Sequence, residues 1–365
     1  MKYIINKTNG PAYLQLYRHL RADIVGGRFP YNSKLPSKRA LSENTGVSIV
    51  TIEHAYALLC DEGYVESRER SGYYVVFRAS DGFAASTAQP VLQRHISILS
   101  ADQPAFPYST LAKTMRRVLS TYKELLLEKA PNAGCTELRI ALKQYLARNR
   151  GIYVETEQII VGSGAEYLYS LIIELLGRDK TIAIESPSYN KIEQVYQAAE
   201  IKYEALPLTS DGIESTALAS ACVDILHTTP YRSFPSGVTA SASKRHEYLR
   251  WADSGNRYII EDDFESEFSI STAPMETLFA LSQNENVIYL NTFSKTISPA
   301  IRVGYMVLPS HLAALFEKKL GFYSCTVPTF EQYTLTELLN NGEFERHINR
   351  VRRHKRESQN PTTGF

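Results

Sequence analysis

The stretch Asn291-Thr292-Phe293-Ser294-Lys295 places a lysine in a segment rich in hydroxyl side chains. Arg302 follows seven residues after Lys295, and the acidic strand Ile259-Ile260-Glu261-Asp262 precedes it. A lysine amine with a pKa of about 10 is a poor nucleophile at neutral pH, but it forms a Schiff base beside an aldehyde cofactor in a cationic, phosphate-rich surrounding. The stretch therefore predicts a pyridoxal phosphate site and the fold that carries one.

Each polar residue of this stretch has a chemical role in such a site. Lys295 is the candidate for the covalent bond, and the hydroxyls of Thr292 and Ser294 with the guanidinium of Arg302 are candidates for holding the phosphate. Asp262 is the candidate partner of the pyridinium nitrogen, which keeps the electron sink charged. An isolated Ser-Lys pair would more often be an ordinary surface loop, so the interpretation depends on the accompanying motifs.

Three further apolar segments precede this stretch, and each leads into a turn. Residues 159–167 are typical of a buried strand that passes through a glycine turn into a helix, whose free amides suit a phosphate. Residues 181–189 indicate a second strand and a proline turn that presents Tyr189 for stacking on a pyridine ring. Residues 223–228 indicate a third strand, which leads to the turn 229–237. In this order the segments resemble the large domain of the fold-type I aminotransferases, an α/β fold.

The beginning of the chain has the pattern of a different module. Helices are indicated to open within residues 10–17 and 35–42, and a third is indicated over residues 48–60. Two alternating segments, residues 63–67 and 72–77, flank a charged turn and predict the two strands of a wing. Helical spacing puts four apolar side chains of the third helix on one face: Ile52, Ala55, Tyr56 and Leu59.

This spacing is typical of a helix-turn-helix, and it assigns candidate DNA contacts. Ser48 is a candidate N-cap of the third helix, which leaves Thr51 and His54 free to face a groove. The alternative is a small helical domain that does not bind DNA. Charge does not decide between them, because residues 1–75 hold ten Lys or Arg against seven Asp or Glu. The candidates for phosphate contact are Lys38, Arg39, Arg68 and Arg70.

Together, residues 35–39, the turn 45–48 and the wing resemble the winged helix-turn-helix of the GntR superfamily. Joined to the aminotransferase-like part, they resemble a MocR-type (GabR-like) regulator. The resemblance implies a homodimer that binds double-stranded operator DNA and uses a pyridoxal phosphate domain as sensor of a vitamin B6 form, or of a small amine or amino-acid effector. The positions that match the family's cofactor site are Lys295, the catalytic position, with Asp262, Tyr189, Ser163, Gly164, Thr292 and Arg302.

Several positions depart from the family pattern. Phe264 stands where members commonly carry a tyrosine that hydrogen-bonds the ring oxygen, and Ile49 stands where GntR proteins often carry arginine. Arg232 and Ser233 replace a His-Gln pair, and Phe234 occupies a position that is usually asparagine in an aminotransferase. Phe264 and Phe234 weaken the interpretation as an enzyme, whereas Arg232 and Ser233 alter the face over the ring that regulators present, and Ile49 removes one expected DNA contact. The alternative is a pyridoxal phosphate-dependent aminotransferase with an appended DNA-binding domain.

Length and composition agree with two unequal modules. The chain has 365 residues, 44% of them hydrophobic, and its formal net charge of +1 argues against a protein that coats polyanions in general. The predicted division is a winged helix-turn-helix over residues 1–77, a linker over 78–93, an aminotransferase-like domain over 94–357 and a tail over 358–365. The resemblance implies a further small C-terminal domain, so a truncated member is expected.

The sequence contains no signal of export or of membrane insertion. The apolar run at its start is too short for a secretory signal, and no stretch reaches the length of a membrane helix. The four cysteines lie far apart and the eight histidines do not cluster, so no metal site is predicted. We therefore expect a cytoplasmic protein that does not bind membranes.

Overall fold

The computed structural model describes Tyr3, Ile5 and residues 10–69, 71–78, 104–263, 266–269 and 276–359. The predictions for Arg70, for Phe264, for most of the linker and for the end of the tail fall outside the described residues. The chain divides into two compact units, residues 1–97 and residues 98–365.

The described helices and strands are numbered in chain order within each unit. The first unit contains α1 (Ala12–Val25), α2 (Lys38–Thr45), α3 (Ile49–Asp61), β1 (Val65–Arg68) and β2 (Gly72–Val75). The second contains α4 (Tyr108–Tyr122), α5 (Thr136–Arg150), β3 (Ile159–Gly162), α6 (Ala165–Leu176), β4 (Ile182–Ser186), α7 (Asn190–Ala198), β5 (Tyr203–Thr209), β6 (Gly212–Ile213), α8 (Ser215–Ser220), β7 (Ile225–Thr228), α9 (Ala242–Ser254), β8 (Tyr258–Asp262), α10 (Leu278–Leu281), β9 (Val287–Thr292), β10 (Gly304–Val307), α11 (Ser310–Leu320), α12 (Thr329–Asn340) and α13 (Glu343–Gln359). Short 3₁₀ turns lie at Lys123–Leu127, Thr156–Gln158 and Ser266–Phe268.

The first unit packs α1, α2 and α3 against a two-stranded wing. β1 pairs antiparallel with β2, with Val65 opposite Val75. The phenol of Tyr56 donates to the carbonyl of Pro36 at 2.7 Å, which ties α3 to the segment before α2. The helical spacing expected for the third helix is confirmed, because the four apolar residues of its predicted face are fully buried: Ile52, Ala55, Tyr56 and Leu59.

Local capping sets the turn between α2 and α3. The hydroxyl of Ser37 accepts from the amide of Ala40 at 3.2 Å, and the hydroxyl of Ser48 accepts from the amide of Thr51 at 3.2 Å. Gly46 caps the end of α2, and its φ of 72° is the left-handed conformation that glycine adopts without a steric penalty. The predicted N-cap role of Ser48 is therefore confirmed.

The described strands of the second unit form an eight-stranded sheet in the order β3-β10-β9-β8-β7-β4-β5-β6. The strands β4, β5, β7, β8 and β9 run parallel. β10 lies antiparallel between β9 and β3, so β3 shares the direction of β9. The carboxyl ends of β3, β4, β7, β8 and β9 therefore lie along one edge of the sheet, together with the amino end of β10.

Helices cover both faces of this sheet. On β8, Ile259 packs into the cluster that contains Trp251 of α9, whereas Ile260 packs into the cluster that contains Leu168 of α6. Successive strand residues point to opposite faces, and both faces are apolar, which explains why the strands are continuous apolar runs rather than alternating patterns. Among the described residues, none of the helices has the length and apolar character needed to span a membrane.

A buried ion network joins the segment that follows β8 to the end of α5. The guanidinium of Arg150, at the end of α5, lies 3.0 Å from Asp263 Oδ2 and 3.5 Å from Glu267 Oε1. The phenol of Tyr289 donates to Asp263 at 2.6 Å, and the amide of Asn291 donates to Glu267 at 2.6 Å. The negative charges of two buried carboxylates are thus compensated by one buried guanidinium.

Replacing Arg150 with alanine is expected to lower the free energy of unfolding by about 3–5 kcal/mol, because it leaves two buried carboxylates without their cation. Arg148→Ala is the matched control: Arg148 pairs with Glu345 at 3.2 Å, its side chain is 54% exposed, and removal of a surface pair costs about 0–1 kcal/mol. Urea unfolding of the two variants measures the difference, and equal midpoints would contradict the role assigned to the network.

Candidate functional site

Strand direction brings the predicted cofactor residues to one edge of the sheet. Ser163 and Gly164 follow β3, Tyr189 follows β4, Asp262 ends β8 and Thr292 ends β9, while Lys295 and Arg302 lie between β9 and β10. Binding sites of open α/β sheets lie outside the carboxyl ends of the strands, where the loops converge. The edge therefore assembles residues that are far apart in sequence.

Asp262 is held in a buried polar cluster. It is 5% exposed, and its Oδ2 accepts from the phenol of Tyr169 of α6. His227 of β7 places Nε2 at 3.8 Å from the same oxygen, while its Nδ1 lies 2.6 Å from the phenol of Tyr196. Burial and the neighbouring Asp262 raise the pKa of Tyr169 well above its ordinary value, so this phenol stays protonated as a donor.

Nε2 of His227 is buried and has no hydrogen-bond partner among the described residues. The ring packs edge-on against Tyr169, with centroids 4.9 Å apart, and is 1% exposed. No sequence motif indicated Tyr169, Tyr196 or His227 as part of the site. The signal for His227 was available, since it is a titratable residue that directly follows the apolar pair Ile225-Leu226 in a predicted strand.

Gly164 and Arg302 form the corner predicted to hold the phosphate. Gly164 has a φ of +101°, and a Cβ added there would lie 2.7 Å from Nη2 of Arg302, so only glycine leaves room for the guanidinium. The same Nη2 lies 2.7 Å from Oε2 of Glu166, in the first turn of α6. Lys191 of α7 lies 2.9 Å from the other oxygen of Glu166. No sequence motif indicated that Glu166 or Lys191 belongs to this corner.

The remaining predicted residues line the same edge in different ways. Lys295 lies in the turn after β9 and is exposed, and Thr292 is buried at the end of that strand. The hydroxyl of Ser294 donates to the carbonyl of Ile301 at 3.0 Å, which closes the loop that carries Lys295. Ser163 is half-buried in the turn between β3 and α6. The ring of Tyr189 meets that of Phe234 edge-on at 5.9 Å.

A second buried carboxyl fixes the turn that follows β7. Glu185 of β4 accepts from the hydroxyl of Thr228 at 2.5 Å, from the amide of Thr229 at 3.0 Å and from the hydroxyl of Ser233. Burial raises the pKa of Glu185 to about 7, although these three hydrogen bonds oppose the shift. Ser233, noted in the sequence as a departure, is thus a structural anchor of the turn.

The edge fits a phosphate-bearing pyridine in most respects. A carboxylate stands at its buried end, a lysine in its outer loop, and an arginine beside a glycine whose missing side chain makes the space. The hydroxyl of Ser294 already donates to the backbone carbonyl of Ile301, so its direct role is to close the loop. The carboxylate of Glu166 departs from this chemistry, because it already pairs with Arg302, the residue predicted to hold the phosphate.

The predicted DNA-contact residues that the structure describes lie on α2, at the start of α3 and within it, and on β1. Lys38 pairs with Glu53 of α3 at 2.7 Å, and Arg68 pairs with Glu66 at 2.6 Å, so both form ion pairs within the unit. Arg39 is exposed. His54 is exposed and meets the ring of Tyr13 edge-on at 5.8 Å.

The start of α3 presents apolar side chains to solvent. Ile49 and Val50 are 44% and 60% exposed, and the hydroxyl of Thr51 lies 2.8 Å from that of Ser48. Aliphatic methyl groups suit contact with the methyl group of thymine rather than hydrogen bonds to guanine. Isoleucine at position 49 therefore gives the start of α3 an apolar surface where the GntR resemblance implied an arginine.

Comparison with known proteins agrees with both units. Residues 12–75 match the family of bacterial regulatory proteins of the gntR type, and residues 98–365 match the aminotransferase class I and II family. The chain is 32% identical to the uncharacterized HTH-type transcriptional regulator YdeL of Bacillus subtilis, over 94% of this chain and 76% of the relative. It is 29% identical to the probable rhizopine catabolism regulatory protein MocR of Rhizobium meliloti, over 94% of this chain and 74% of that one. The chain belongs to the MocR-type regulators.

A third relative of this MocR-type chain is the pyridoxine biosynthesis transcriptional regulator PdxR of Corynebacterium glutamicum, 28% identical over 96% of this chain and 78% of PdxR. Among solved structures, the kynurenine aminotransferase of Pyrococcus horikoshii superposes with a TM-score of 0.62 and 26% identity. That match covers 70% of this chain and 66% of the solved one. The predicted fold, a winged helix-turn-helix with a fold-type I aminotransferase large domain, is confirmed.

Arg39→Ala is expected to weaken binding to any double-stranded DNA by a similar factor and to reduce the slope of log affinity against log salt by about 1, because a phosphate contact releases counterions whatever the sequence. Fluorescence anisotropy with two unrelated duplexes at several salt concentrations measures both quantities. Arg178→Ala, which removes an exposed arginine of the second unit, is the control. A loss confined to one duplex would contradict a phosphate contact and indicate a base contact.

Proposed function

We propose that this MocR-type chain is a transcription regulator whose aminotransferase-like domain binds pyridoxal phosphate through Lys295 and senses a vitamin B6 form or an amine. The observation that carries the proposal is the convergence of Lys295, Asp262, Gly164 and Arg302 on one edge of the sheet. The winged helix would bind operator DNA, and a homodimer would match the two-fold symmetry of such a site.

The proposed division of the chain follows that function. Residues 1–77 would bind DNA, residues 78–93 would connect, residues 94–357 would hold the cofactor, and residues 358–365 would be a tail. The boundary between the two compact units, at residues 97 and 98, lies just after the proposed linker and supports this division.

Each side chain of the edge has a task in this proposal. Pyridoxal phosphate, when bound, supplies an aldehyde and an electron-withdrawing ring. Lys295 would provide the amine, and Asp262, supported by the phenol of Tyr169, would keep the ring nitrogen protonated. Arg302 would bind the phosphate with the amides after Gly164, assisted by Ser163, Thr292 and Ser294. Tyr189 would lie against the ring, with Phe234 behind it.

Lys295→Ala is expected to abolish the visible absorbance that pyridoxal phosphate acquires on binding, because the variant has no amine for the covalent bond. The measurement is a visible spectrum of the purified protein with added pyridoxal phosphate, compared with Lys318→Ala, an exposed lysine of α11. An unchanged spectrum in Lys295→Ala would assign the bond to another lysine.

The same spectra separate a sensor from an aminotransferase. An aminotransferase would convert the bound cofactor into pyridoxamine phosphate when mixed with an amino acid, and the visible band would disappear with release of a keto acid. A sensor would keep the cofactor at the aldehyde oxidation level and release no keto acid. Keto acid formation stoichiometric with the protein would favour the enzyme.

Gly164→Ala is expected to weaken pyridoxal phosphate binding by about ten- to a hundredfold, which corresponds to the loss of one charge-assisted hydrogen bond. The new Cβ would lie 2.7 Å from Nη2 of Arg302 and displace the guanidinium. Gly151→Ala is the control, since Gly151 also has a positive φ, +64°, but a Cβ there meets no atom within 4 Å. Equal dissociation constants for the two variants would contradict a phosphate contact at Arg302.

A further inference from the structure

The carboxylate of Glu166 occupies the corner in which the cofactor phosphate is proposed to lie. Its Oε2 accepts from Nη2 of Arg302 at 2.7 Å, and its Oε1 accepts from Nζ of Lys191 at 2.9 Å. Glu166 also lies close to Gly164, because a Cβ built on Gly164 would be 3.5 Å from Oε2. The carboxylate, the arginine and the glycine thus share one small space.

The groups that hold this carboxylate are those that suit a phosphate. Burial alone would raise the pKa of Glu166, but hydrogen bonds from Lys191, from its own backbone amide and from Arg302 outweigh it and lower that pKa to about 2. A backbone amide in the first turn of a helix and a guanidinium are the donors that proteins use for phosphate oxygens. A negatively charged side chain therefore already uses donors that the cofactor requires.

We infer that Glu166 is a built-in competitor for the cofactor phosphate, which must displace the carboxylate from Arg302 in order to bind. The inference rests on the proposed function, because it concerns the same corner of the same site. It makes Glu166 a specificity-determining residue: its charge lowers the affinity for the phosphorylated form of the vitamin and leaves the affinity for the unphosphorylated form unchanged.

Charge balance gives the direction of the effect. With Glu166 ionised, the three side chains Glu166, Lys191 and Arg302 carry a net charge of +1; without it they carry +2, which matches a phosphate dianion. The side chain of Glu166 is 31% exposed, and those of Lys191 and Arg302 are 51% and 48% exposed. Solvent therefore screens the repulsion and lets the carboxylate turn outward, so competition rather than exclusion is expected.

The test compares the binding of pyridoxal phosphate and of pyridoxal to the full chain by isothermal titration calorimetry. The variants are Glu166→Gln, which keeps the shape, and Glu166→Ala, which removes the carboxylate without adding an amide donor. Glu174→Gln is the control, because Glu174 lies on the same helix, pairs with Arg178 and changes the net charge equally. Lys295→Ala, measured with both ligands, reports whether binding occurs at the proposed site.

We expect both Glu166 variants to bind pyridoxal phosphate about tenfold more tightly than the unaltered chain, a gain of about 1.4 kcal/mol, with pyridoxal and the Glu174 variant unchanged. Unchanged or weaker binding of pyridoxal phosphate would overturn the inference, as would an equal gain for pyridoxal or a gain with glutamine alone. Lys295-dependent binding that is equally tight in all Glu166 variants would overturn the inferred role of Glu166 as a competitor and leave the proposed function intact. Absence of Lys295-dependent binding in every variant would overturn both.

Discussion

The direction of β10 is the constraint on which the rest of the second unit depends. The strands β3, β4, β7, β8 and β9 end along one edge of the sheet, and their loops can present side chains there. Because β10 runs antiparallel between β9 and β3, its amino end reaches the same edge and brings Arg302 to Gly164. A parallel strand in that position would place the arginine at the opposite edge. One reversed strand thus joins the cation to the glycine turn and completes the corner.

The elements and the outline of this edge were predictable from the sequence because their signals are local. The adjacent residues Ile259 and Ile260 point to opposite faces and are both apolar, which indicates a buried parallel strand, and the spacing from Ile52 to Leu59 indicates a helix with one buried face. Glycine at Gly46 and serine at Ser48 mark helix ends through their own backbone chemistry. The roles assigned to Lys295 and its partners remain predictions.

What the sequence did not reveal are contacts between residues that are far apart along the chain. Tyr169 and Asp262 are 93 positions apart, and Glu166 and Arg302 are 136 apart. Nothing local to either member of these pairs indicates the other. The pair of Lys38 with Glu53 is a similar case, since Lys38 was predicted to contact DNA phosphates and its ion pair with Glu53 was not predicted. Charge patterns therefore gave candidate residues but did not indicate their partners.

The two adjacent carboxylates at the end of β8 serve different surroundings because successive strand residues point to opposite faces. Asp262 meets the phenol of Tyr169 beside the proposed cofactor site, and Asp263 meets Arg150 in the buried network. The backbone carbonyl of Glu267, in the same network, accepts from Arg352 of α13 at 2.6 Å. Breaking the pair of Asp263 with Arg150 would cost about 3–5 kcal/mol, so a shift of Asp262 large enough to move the end of β8 must carry Asp263 and its partners with it. The strand end is therefore a physical link from the proposed cofactor site to α13.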